Sequence, residues 1–187
     1  LPRGKKMSLQ RPRKRSMEIA LAAILIALGV ILSPFTWFQV GPSKANPTQH
    51  MINVIAGIML GPLWSIVIAF FIGIIRISLG TGTIFAIPGG LPGGFVVGLF
   101  YHYLFKRIFK DQKKLIASLT EPIGTVLIGA TISVYLIAPL INTRITSLII
   151  FYMGWLVSSI TGCVIGFIIL MVLYRTGYSR ENILGKP

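Results

Sequence analysis

Residues 148–173 read LIIFYMGWLVSSITGCVIGFIILMVL, a run that contains no charged side chain. A helix needs about 20 residues to cross the hydrocarbon core of a bilayer, and a charge at its centre costs roughly 3 kcal/mol. Similar apolar runs cover residues 19–30 and 63–79, and Arg76 is the only charged residue in them. These runs predict a multi-spanning membrane protein.

The composition supports this prediction and excludes several other classes. The chain has 187 residues, of which 54% are hydrophobic and 12% charged, whereas soluble domains carry about 25% charged residues. Its net charge of +14 does not indicate a nucleic-acid partner, because the basic clusters lie at the edges of apolar runs. Cys163 is the one cysteine, so neither a disulfide framework nor a cysteine-based metal site is expected. We expect no metal, no cofactor and no catalytic residues.

The apolar segments predict an all-α integral membrane protein, a bundle of six transmembrane helices with a short second span. The expected domain division is a basic cytoplasmic N-terminal tail at 1–16, a six-helix membrane domain at 17–174 and a cytoplasmic C-terminal tail at 175–187. Ser33-Pro34 is predicted to end the first helix, and the glycine- and proline-rich residues 88–94 to interrupt the fourth. The predicted spans are 17–38, 50–60, 63–79, 84–105, 115–140 and 148–174.

The positive charges predict the orientation of these spans. Of the 18 Lys and Arg residues, all but Lys44, Arg76 and Arg144 lie in segments 1–16, 106–114 and 175–187. Cytoplasmic loops are enriched in Lys and Arg, so both termini are expected in the cytoplasm. The expected location is a prokaryotic cell membrane, which the chain crosses several times.

With this orientation, the uncommon polar side chains gather near the outer surface, whereas the inner halves of the spans are mostly aliphatic. His50 and Asn53 share a helix face at i, i+3, and Gln49 lies beside them, four residues before Asn53. Such a group predicts a ligand pocket open to the outside and no continuous polar path, which argues against a self-sufficient channel. The candidate substrate-binding residues are Lys44, Asn46, Gln49, His50, Asn53, Arg76, Thr81, Thr83, Tyr135, Trp155 and Ser158.

Several of these residues have a structural alternative. Arg76 needs backbone carbonyls, a ligand or water as partners unless it snorkels to the outer interface. His50 can equally be a buried structural histidine, and Tyr135 and Trp155 can be packing or interfacial residues. Glu121 is placed close to the inner surface, where we expect it to pair with a cation of 106–114 and not to contact a ligand bound from outside.

Small residues at a spacing of four predict close helix packing. Gly154, Ser158, Gly162 and Gly166 lie on one face of the last span, and Gly57/Gly61 and Gly94/Gly98 repeat the pattern. We expect these faces to pack within the chain. The glycine-rich segment 89–94 lacks the lysine of a phosphate-binding loop and predicts helix breaking or close packing, so no ATP hydrolysis is expected of this chain.

The first four spans resemble those of the substrate-binding (S) components of energy-coupling factor (ECF) transporters, and most closely the thiazole-specific ThiW family. The last two spans match only in hydropathy and length. The residues that carry the resemblance are Gly41-Pro42-Ser43-Lys44, Pro47, Gln49-His50, Asn53, Gly57, Leu60-Gly61-Pro62, Gly73, Arg76, Gly80-Thr81-Gly82-Thr83 and Pro88-Gly89.

The resemblance implies a partner complex as well as a ligand. Such proteins bind a vitamin or its precursor in a pocket roofed by outer loops, then dock on a transmembrane coupling subunit with two ATPase subunits. The resemblance also implies that the S component topples in the membrane to release the substrate inside. Ala23 and Ala27 match an Ala-x-x-x-Ala motif that contacts the coupling subunit, and Ala20 extends that face. The alternative for this stripe is packing on a helix of the same chain.

For the ThiW branch the resemblance implies hydroxyethylthiazole, a thiamine precursor, as the cargo. A phosphorylated cargo would also suit Lys44 and Arg76, and thiamine or hydroxymethylpyrimidine remain alternatives. A small self-sufficient facilitator is a third possibility. An intramembrane enzyme is disfavoured, because the sequence offers no paired carboxylates or metal-binding set.

Overall fold

A computed structural model describes residues 10–109 and 111–185, so residues 1–9 of the predicted N-terminal tail lie outside the described residues. The first half of the chain forms α1 (Gln10–Thr36), strands β1 (Phe38–Val40) and β2 (Ser43–Ala45), α2 (Pro47–Met59), α3 (Pro62–Ser78) and α4 (Ala86–Leu99). Helix α4 continues directly into a π-helical turn, Phe100–Phe105, and an α-helical turn, Lys106–Ile108.

The second half begins with a long helical run, α5, over Gln112–Leu140. It starts within the 3₁₀-helix Asp111–Thr120 and widens into π-helical segments, Ile123–Ala130 and Ser133–Ile137, before a last α-helical turn, Ala138–Leu140. Helix α6 covers Leu148–Arg175, and the short α7 covers Arg180–Leu184. The predicted C-terminal tail at 175–187 therefore contains a helix.

The helices differ in whether they could cross a membrane. Within the described ranges, α1 from Arg15, α5 and α6 are long and apolar enough to do so, and α3 is a shorter apolar helix of 17 residues. Helix α2 has only 13 residues, and from Thr48 to Met59 all of them are buried. It lies at the centre of the bundle against α3, α4 and α6. The predicted short second span is thus a core helix enclosed by its neighbours.

The structure corrects the prediction of an entirely helical protein. Strands β1 and β2 form an antiparallel hairpin in which Phe38 pairs with Ala45 and Gln39 with Lys44. Gly41 makes the turn with a φ of 53°, which glycine adopts without steric cost. The first helix also continues past the predicted stop at Ser33-Pro34, to Thr36.

The predicted interruption of the fourth span is wrong, because α4 runs unbroken through its prolines. Pro88 lies in the first turn, where a backbone N–H has no helical partner in any case. Pro92 removes the hydrogen bond to the carbonyl of Pro88, and that carbonyl lies against the Cα of Gly129 in α5. Neighbouring helices can accommodate proline within a membrane helix in this way.

The small-residue faces pack within the chain, as predicted. Gly162 faces the Pro47 carbonyl and the His50 side chain, and Gly166 faces Val54. A Cβ on Gly98 would lie 2.6 Å from the backbone nitrogen of Pro62, and one on Gly57 would lie 2.8 Å from the Gly94 carbonyl. The backbones of α2, α3, α4 and α6 therefore approach too closely for larger side chains.

The bundle has two unlike ends. We call the end with the β-hairpin and the loops 79–85 and 141–147 the hairpin end, and the end with Gly61 and α7 the tail end. The hairpin-end core includes the aromatic residues Phe85, Phe151 and Trp155. The tail-end core is mainly aliphatic, and Leu184 of α7 is buried in it. Glu181 of α7 also approaches Lys114, with 3.9 Å between Oε1 and Nζ.

Candidate functional site

A cavity lies at the hairpin end, where the start of α2 meets the hairpin, the start of α4 and the middle of α6. It is narrow, with about 20 Å³ open to the centre of a water molecule, roughly the room that one buried water needs. A ligand the size of a heteroaromatic ring can enter only if the lining side chains move apart. The lining residues are Ser43, Lys44, Ala45, Asn46, Gln49, His50, Phe85, Ala86, Gly89 and Trp155.

The hairpin and the loop after α3 form a roof over this cavity. Lys44 of β2 donates a hydrogen bond of 2.6 Å to the carbonyl of Gly80. Its ammonium group also lies 4.6 Å from the centre of the Trp37 ring, a distance at which a cation is attracted to the aromatic face. Lys44 therefore connects the two segments that cover the cavity.

Asn46 fixes the start of α2 and so positions the residues of its first turn. Its side-chain oxygen accepts a hydrogen bond of 3.0 Å from the backbone N–H of Gln49, the usual N-cap arrangement. Its amide nitrogen donates to the carbonyl of Ser33 in α1, also at 3.0 Å. The cap thus ties α2 to α1 and places Gln49 and His50 at the cavity.

Gln49 joins the cavity wall to Arg76. Its amide nitrogen donates to the carbonyl of Ala86 at 2.9 Å, and its oxygen accepts from the Arg76 guanidinium. Arg76 also donates to the carbonyl of Thr81 at 3.2 Å, and its side chain is only 1% exposed. Arg76 therefore does not snorkel to the interface. It is held by oxygens of the protein itself, behind the cavity wall.

Glu121 is fully buried below the cavity and is hydrogen-bonded to side chains of α2, α5 and α6. Its Oε1 lies 2.8 Å from His50 Nδ1 and 3.0 Å from Asn53 Nδ2. The same oxygen accepts a hydrogen bond of 2.6 Å from Thr125 Oγ1. Its Oε2 accepts from the hydroxyl of Ser159. We call these five residues the Glu121 network. The prediction that Glu121 pairs with a cation of 106–114 is wrong.

The helix geometry explains a small part of the error in the depth of Glu121. Counting six residues from Leu115 as an α-helix gives a rise of about 9 Å. The segment Asp111–Thr120 is a 3₁₀-helix, whose rise of about 2 Å per residue gives about 12 Å over the same six residues. One feature of the sequence could have identified Glu121 as a candidate site residue. An isolated carboxylate within an apolar span is a functional candidate, by the same rule that was applied to Arg76.

Glycine makes room for the Glu121 network on the side of α4. A Cβ on Gly93 would collide with the carboxylate of Glu121 and the hydroxyl of Thr125. Other side chains also reach the backbone carbonyls of Gly89 and Gly90. Thr125 Oγ1 lies 3.1 Å from the Gly89 carbonyl oxygen, and Asn53 Nδ2 donates a hydrogen bond of 3.0 Å to the Gly90 carbonyl oxygen. The glycine-rich segment of α4 is therefore a close-packed wall, one of the two readings the sequence offered.

Trp155 and Ser158 of α6 carry polar atoms without partners in the described part of the chain, but only Trp155 lines the cavity. The indole of Trp155 packs on Phe151, with ring centres 5.1 Å apart, and lies against Gly89. Both Trp155 Nε1 and Ser158 Oγ are buried, and neither has a hydrogen-bond partner among the described residues. Since buried polar groups are nearly always paired, these atoms are candidates for ligand or water contacts.

The remaining predicted residues do not line the cavity. Asn53 lies one turn deeper, in the Glu121 network, and Thr81 reaches the site only through Arg76. Thr83 has a buried hydroxyl without a partner in the described part of the chain, outside the cavity wall. Tyr135 is 67% exposed on the outside of α5, away from the cavity. Sequence reasoning missed the lining residues Ser43, Ala45, Phe85, Ala86 and Gly89 and the network residues Glu121, Thr125 and Ser159.

The alanine stripe of α1 lies on the opposite face from the protein core. Ala22 and Leu25 are buried, whereas Ala20, Ala23 and Ala27 are exposed. The stripe therefore does not serve to dock α1 on another described helix of the same chain.

The sequence matches a known protein family over most of its length. Residues 19–176 match the family described as "Thiamine-precursor transporter protein (ThiW)". The chain belongs to this family. The match extends through α6, beyond the four spans whose residues carried the resemblance. A comparison with curated proteins finds no match.

A solved structure gives an independent comparison of the fold. It is described as "Structure and mechanism of the S component of a bacterial ECF transporter" and superposes with a TM-score of 0.62 at 15% sequence identity. The similarity covers 89% of this chain and 96% of that one. The ThiW-family chain therefore has an S-component-like fold, which together with its apolar helices identifies it as a membrane protein.

Proposed function

We propose that this ThiW-family chain is the substrate-capture subunit of an ECF-type importer, with hydroxyethylthiazole as its cargo. It binds the ligand from outside and performs no chemistry, and ATP is hydrolysed by partner subunits. The observation that carries this proposal is the cavity at the hairpin end, lined by Trp155 and hydrogen-bonding groups and separated from the tail end by a mainly aliphatic core.

The same proposal includes a topology. Helices α1 to α6 form the six spans, α2 being enclosed by the others, and α4 reaches sufficient length through its continuation to Ile108. The described residues of the basic segments 106–114 and 175–187 belong to the tail end, which by the positive-inside rule faces the cytoplasm. The hairpin end then faces outward, in a prokaryotic cell membrane.

Hydroxyethylthiazole suits the chemistry of the cavity wall. The ligand is a small heteroaromatic ring with one hydroxyl group, so it needs an aromatic surface and a few well-placed polar groups. Phe85 and Trp155 supply the aromatic surface, and Asn46, Gln49 and His50 supply the polar groups. Thiamine carries a second ring and would require a larger opening of the hairpin and its roof.

Calorimetry on the purified full chain tests the ligand assignment. We expect tight, saturable binding of hydroxyethylthiazole and much weaker binding of thiamine and hydroxymethylpyrimidine. Glu181→Gln at the tail end serves as the control variant and should bind like the wild type. Tight binding of a different vitamin, with no binding of hydroxyethylthiazole, would overturn the assignment.

The partner part of the proposal is that the stripe Ala20, Ala23 and Ala27 docks on a transmembrane coupling subunit. A flat face of small residues allows two helices to approach closely and separate again. Ala23→Trp should leave ligand binding unchanged but abolish uptake by the assembled complex. Val67→Trp, on an exposed position of α3, controls for added bulk. Uptake by the purified chain in liposomes without ATPase subunits would instead support a self-sufficient facilitator.

A further inference from the structure

We propose that His50, held in place by Glu121, selects the hydroxyl group of the ligand, and that the site accepts the uncharged alcohol and rejects its phosphate ester. This inference rests on the proposed function and names the ligand chemistry of the same cavity. It assigns His50 as a specificity-determining residue and Glu121 as a positioning residue.

His50 lies at the boundary between the cavity and the Glu121 network. His50 is one of the lining residues of the cavity, and its Nδ1 lies 2.8 Å from Glu121 Oε1 and 3.5 Å from Thr125 Oγ1. Among the described residues, the hydrogen bonds of the His50 ring involve Nδ1 alone and leave the other ring nitrogen, Nε2, unused. Nε2 is therefore the ring atom left for a ligand.

Glu121 determines what Nε2 can do. Its Oε1 meets an amide N–H from Asn53 and a hydroxyl from Thr125, and its Oε2 meets a hydroxyl from Ser159. Such a set of donors suits an ionised carboxylate, which only accepts hydrogen bonds. His50 Nδ1 must then carry a proton, so in the neutral ring Nε2 is an acceptor for a ligand hydroxyl.

Glu121 does not line the cavity itself, and its side chain is fully buried. Its charge nevertheless lies only one imidazole ring from the cavity. An anionic group placed on Nε2 would be repelled by that charge, because a like charge in a poorly solvated site is screened weakly.

The cations near the cavity do not offset this repulsion. Arg76 does not line the cavity, and its guanidinium is bonded to Gln49 and to the carbonyl of Thr81. Lys44 is the one cation among the lining residues, and its ammonium group is bonded to the carbonyl of Gly80. A phosphate would have to break this roof contact and would find no second cationic side chain in the cavity wall.

Three ligands measured by calorimetry on the wild-type chain test the inference: hydroxyethylthiazole, the analogue with ethyl in place of hydroxyethyl, and the phosphate ester. We expect the alcohol to bind at least about 30-fold more tightly than the ethyl analogue, because His50 Nε2 would otherwise lose its partner. The phosphate ester should bind at least about 100-fold more weakly than the alcohol.

Two variants of Glu121 distinguish a role in positioning His50 from a purely structural role. Glu121→Gln keeps an acceptor for His50 Nδ1, so it should retain the preference for the alcohol over the ethyl analogue. Glu121→Ala should reduce this preference to about three-fold or less. Glu181→Gln, at the tail end, is the matched control and should retain the full preference.

If Glu121→Ala does not fold, nitrogen NMR of histidine-labelled wild type gives the same information. The chain has only two histidines, so a His102→Gln sample assigns the signals of His50. We expect a protonated Nδ1 throughout, and a shift of Nε2 on adding the alcohol but not the ethyl analogue.

The outcomes also distinguish this inference from the proposed function. Equal binding of the alcohol and the ethyl analogue, or tighter binding of the phosphate ester, would overturn the inference and leave the thiazole assignment standing. Failure of a folded wild-type chain to bind any of the three thiazoles would overturn the proposed function and this inference together.

Discussion

The two ends of the bundle are built from the same helices but from opposite kinds of side chain. Helix α2 shows this within 13 residues: its first half carries Gln49, His50 and Asn53, and its second half, from Val54 to Met59, is apolar. At the hairpin end these polar groups surround the cavity and Glu121. At the tail end, α2 is enclosed by aliphatic side chains of α1, α3 and α6.

In the proposed capture subunit, this difference would let a polar solute bind at the hairpin end without leaking through the bundle. Hydrogen-bonding groups at the hairpin end would stabilise a solute that has left water, whereas the tail-end core is packed mainly with aliphatic side chains. Passage of the solute therefore requires movement of the whole subunit or of its helices. That requirement is consistent with a capture subunit that depends on partners for transport.

The largest expected effect comes from making the hairpin end as apolar as the tail end. Glu121→Leu should reduce the free energy of unfolding by about 3–5 kcal/mol, because several buried donors lose their acceptor and each unsatisfied donor costs about 1–3 kcal/mol. Thermal or denaturant unfolding in detergent micelles measures this change.

The tail-end carboxylate provides the matched control for this substitution. Glu181→Leu removes a half-exposed ion pair with Lys114, a type of interaction worth about 0–1 kcal/mol. Similar losses for the two variants would contradict the view that the Glu121 network differs in kind from the surface pair.

The next effect concerns the support behind the cavity wall. Arg76→Met should cost about 2–3 kcal/mol of stability, because Gln49 and the Thr81 carbonyl lose charge-assisted hydrogen bonds. Ligand binding should also weaken by about ten-fold, since Gln49 is no longer held. Arg144→Met, in an exposed loop, should change neither quantity in the same calorimetric and unfolding assays. An unaffected Kd in Arg76→Met would show that Arg76 serves the fold alone.

Glu121 and Arg76 also show how far the sequence predicts this molecule. The helices and the close packing of small residues follow from apolar runs and glycine spacing, which are local features of the chain, whereas the family was indicated by the resemblance of its sequence motifs. The partners of Arg76 could only be given by type, because they depend on how α2 and the loop after α3 pack against its side chain. The partners of Glu121 were missed because they come from α2 and α6, and the hairpin was missed because its strands are only three residues long.

A third prediction compares glycines of the two ends. Gly98→Ala, towards the tail end, should cost about 2 kcal/mol, since its Cβ would lie 2.6 Å from the Pro62 nitrogen. Ligand affinity should be unchanged. Gly93→Ala should cost a similar amount but also weaken ligand binding by about ten-fold, because it displaces Glu121 and Thr125.

Gly73→Ala is the control for both variants. Its nearest neighbour would lie 3.4 Å from the new Cβ, an ordinary contact, so stability and affinity should remain near wild-type values. Equal effects of Gly93→Ala and Gly98→Ala on ligand affinity would show that binding depends on general packing rather than on the Glu121 network.

The smallest expected effect is also the most diagnostic of a binding site. Trp155→Phe keeps an aromatic ring at the cavity but removes the indole N–H, which has no partner among the described residues. Loss of one hydrogen bond to the ligand should raise the Kd about five-fold, an effect of about 1 kcal/mol. The free variant should be as stable as the wild type or slightly more so, because a buried unpaired donor has been removed.

Trp64→Phe is the control, because the Trp64 ring packs on the tail-end core, and it should leave the Kd unchanged. Lower stability of Trp155→Phe with an unchanged Kd would instead identify Trp155 as a packing residue, and the two ends of the bundle would then differ less in function than in composition.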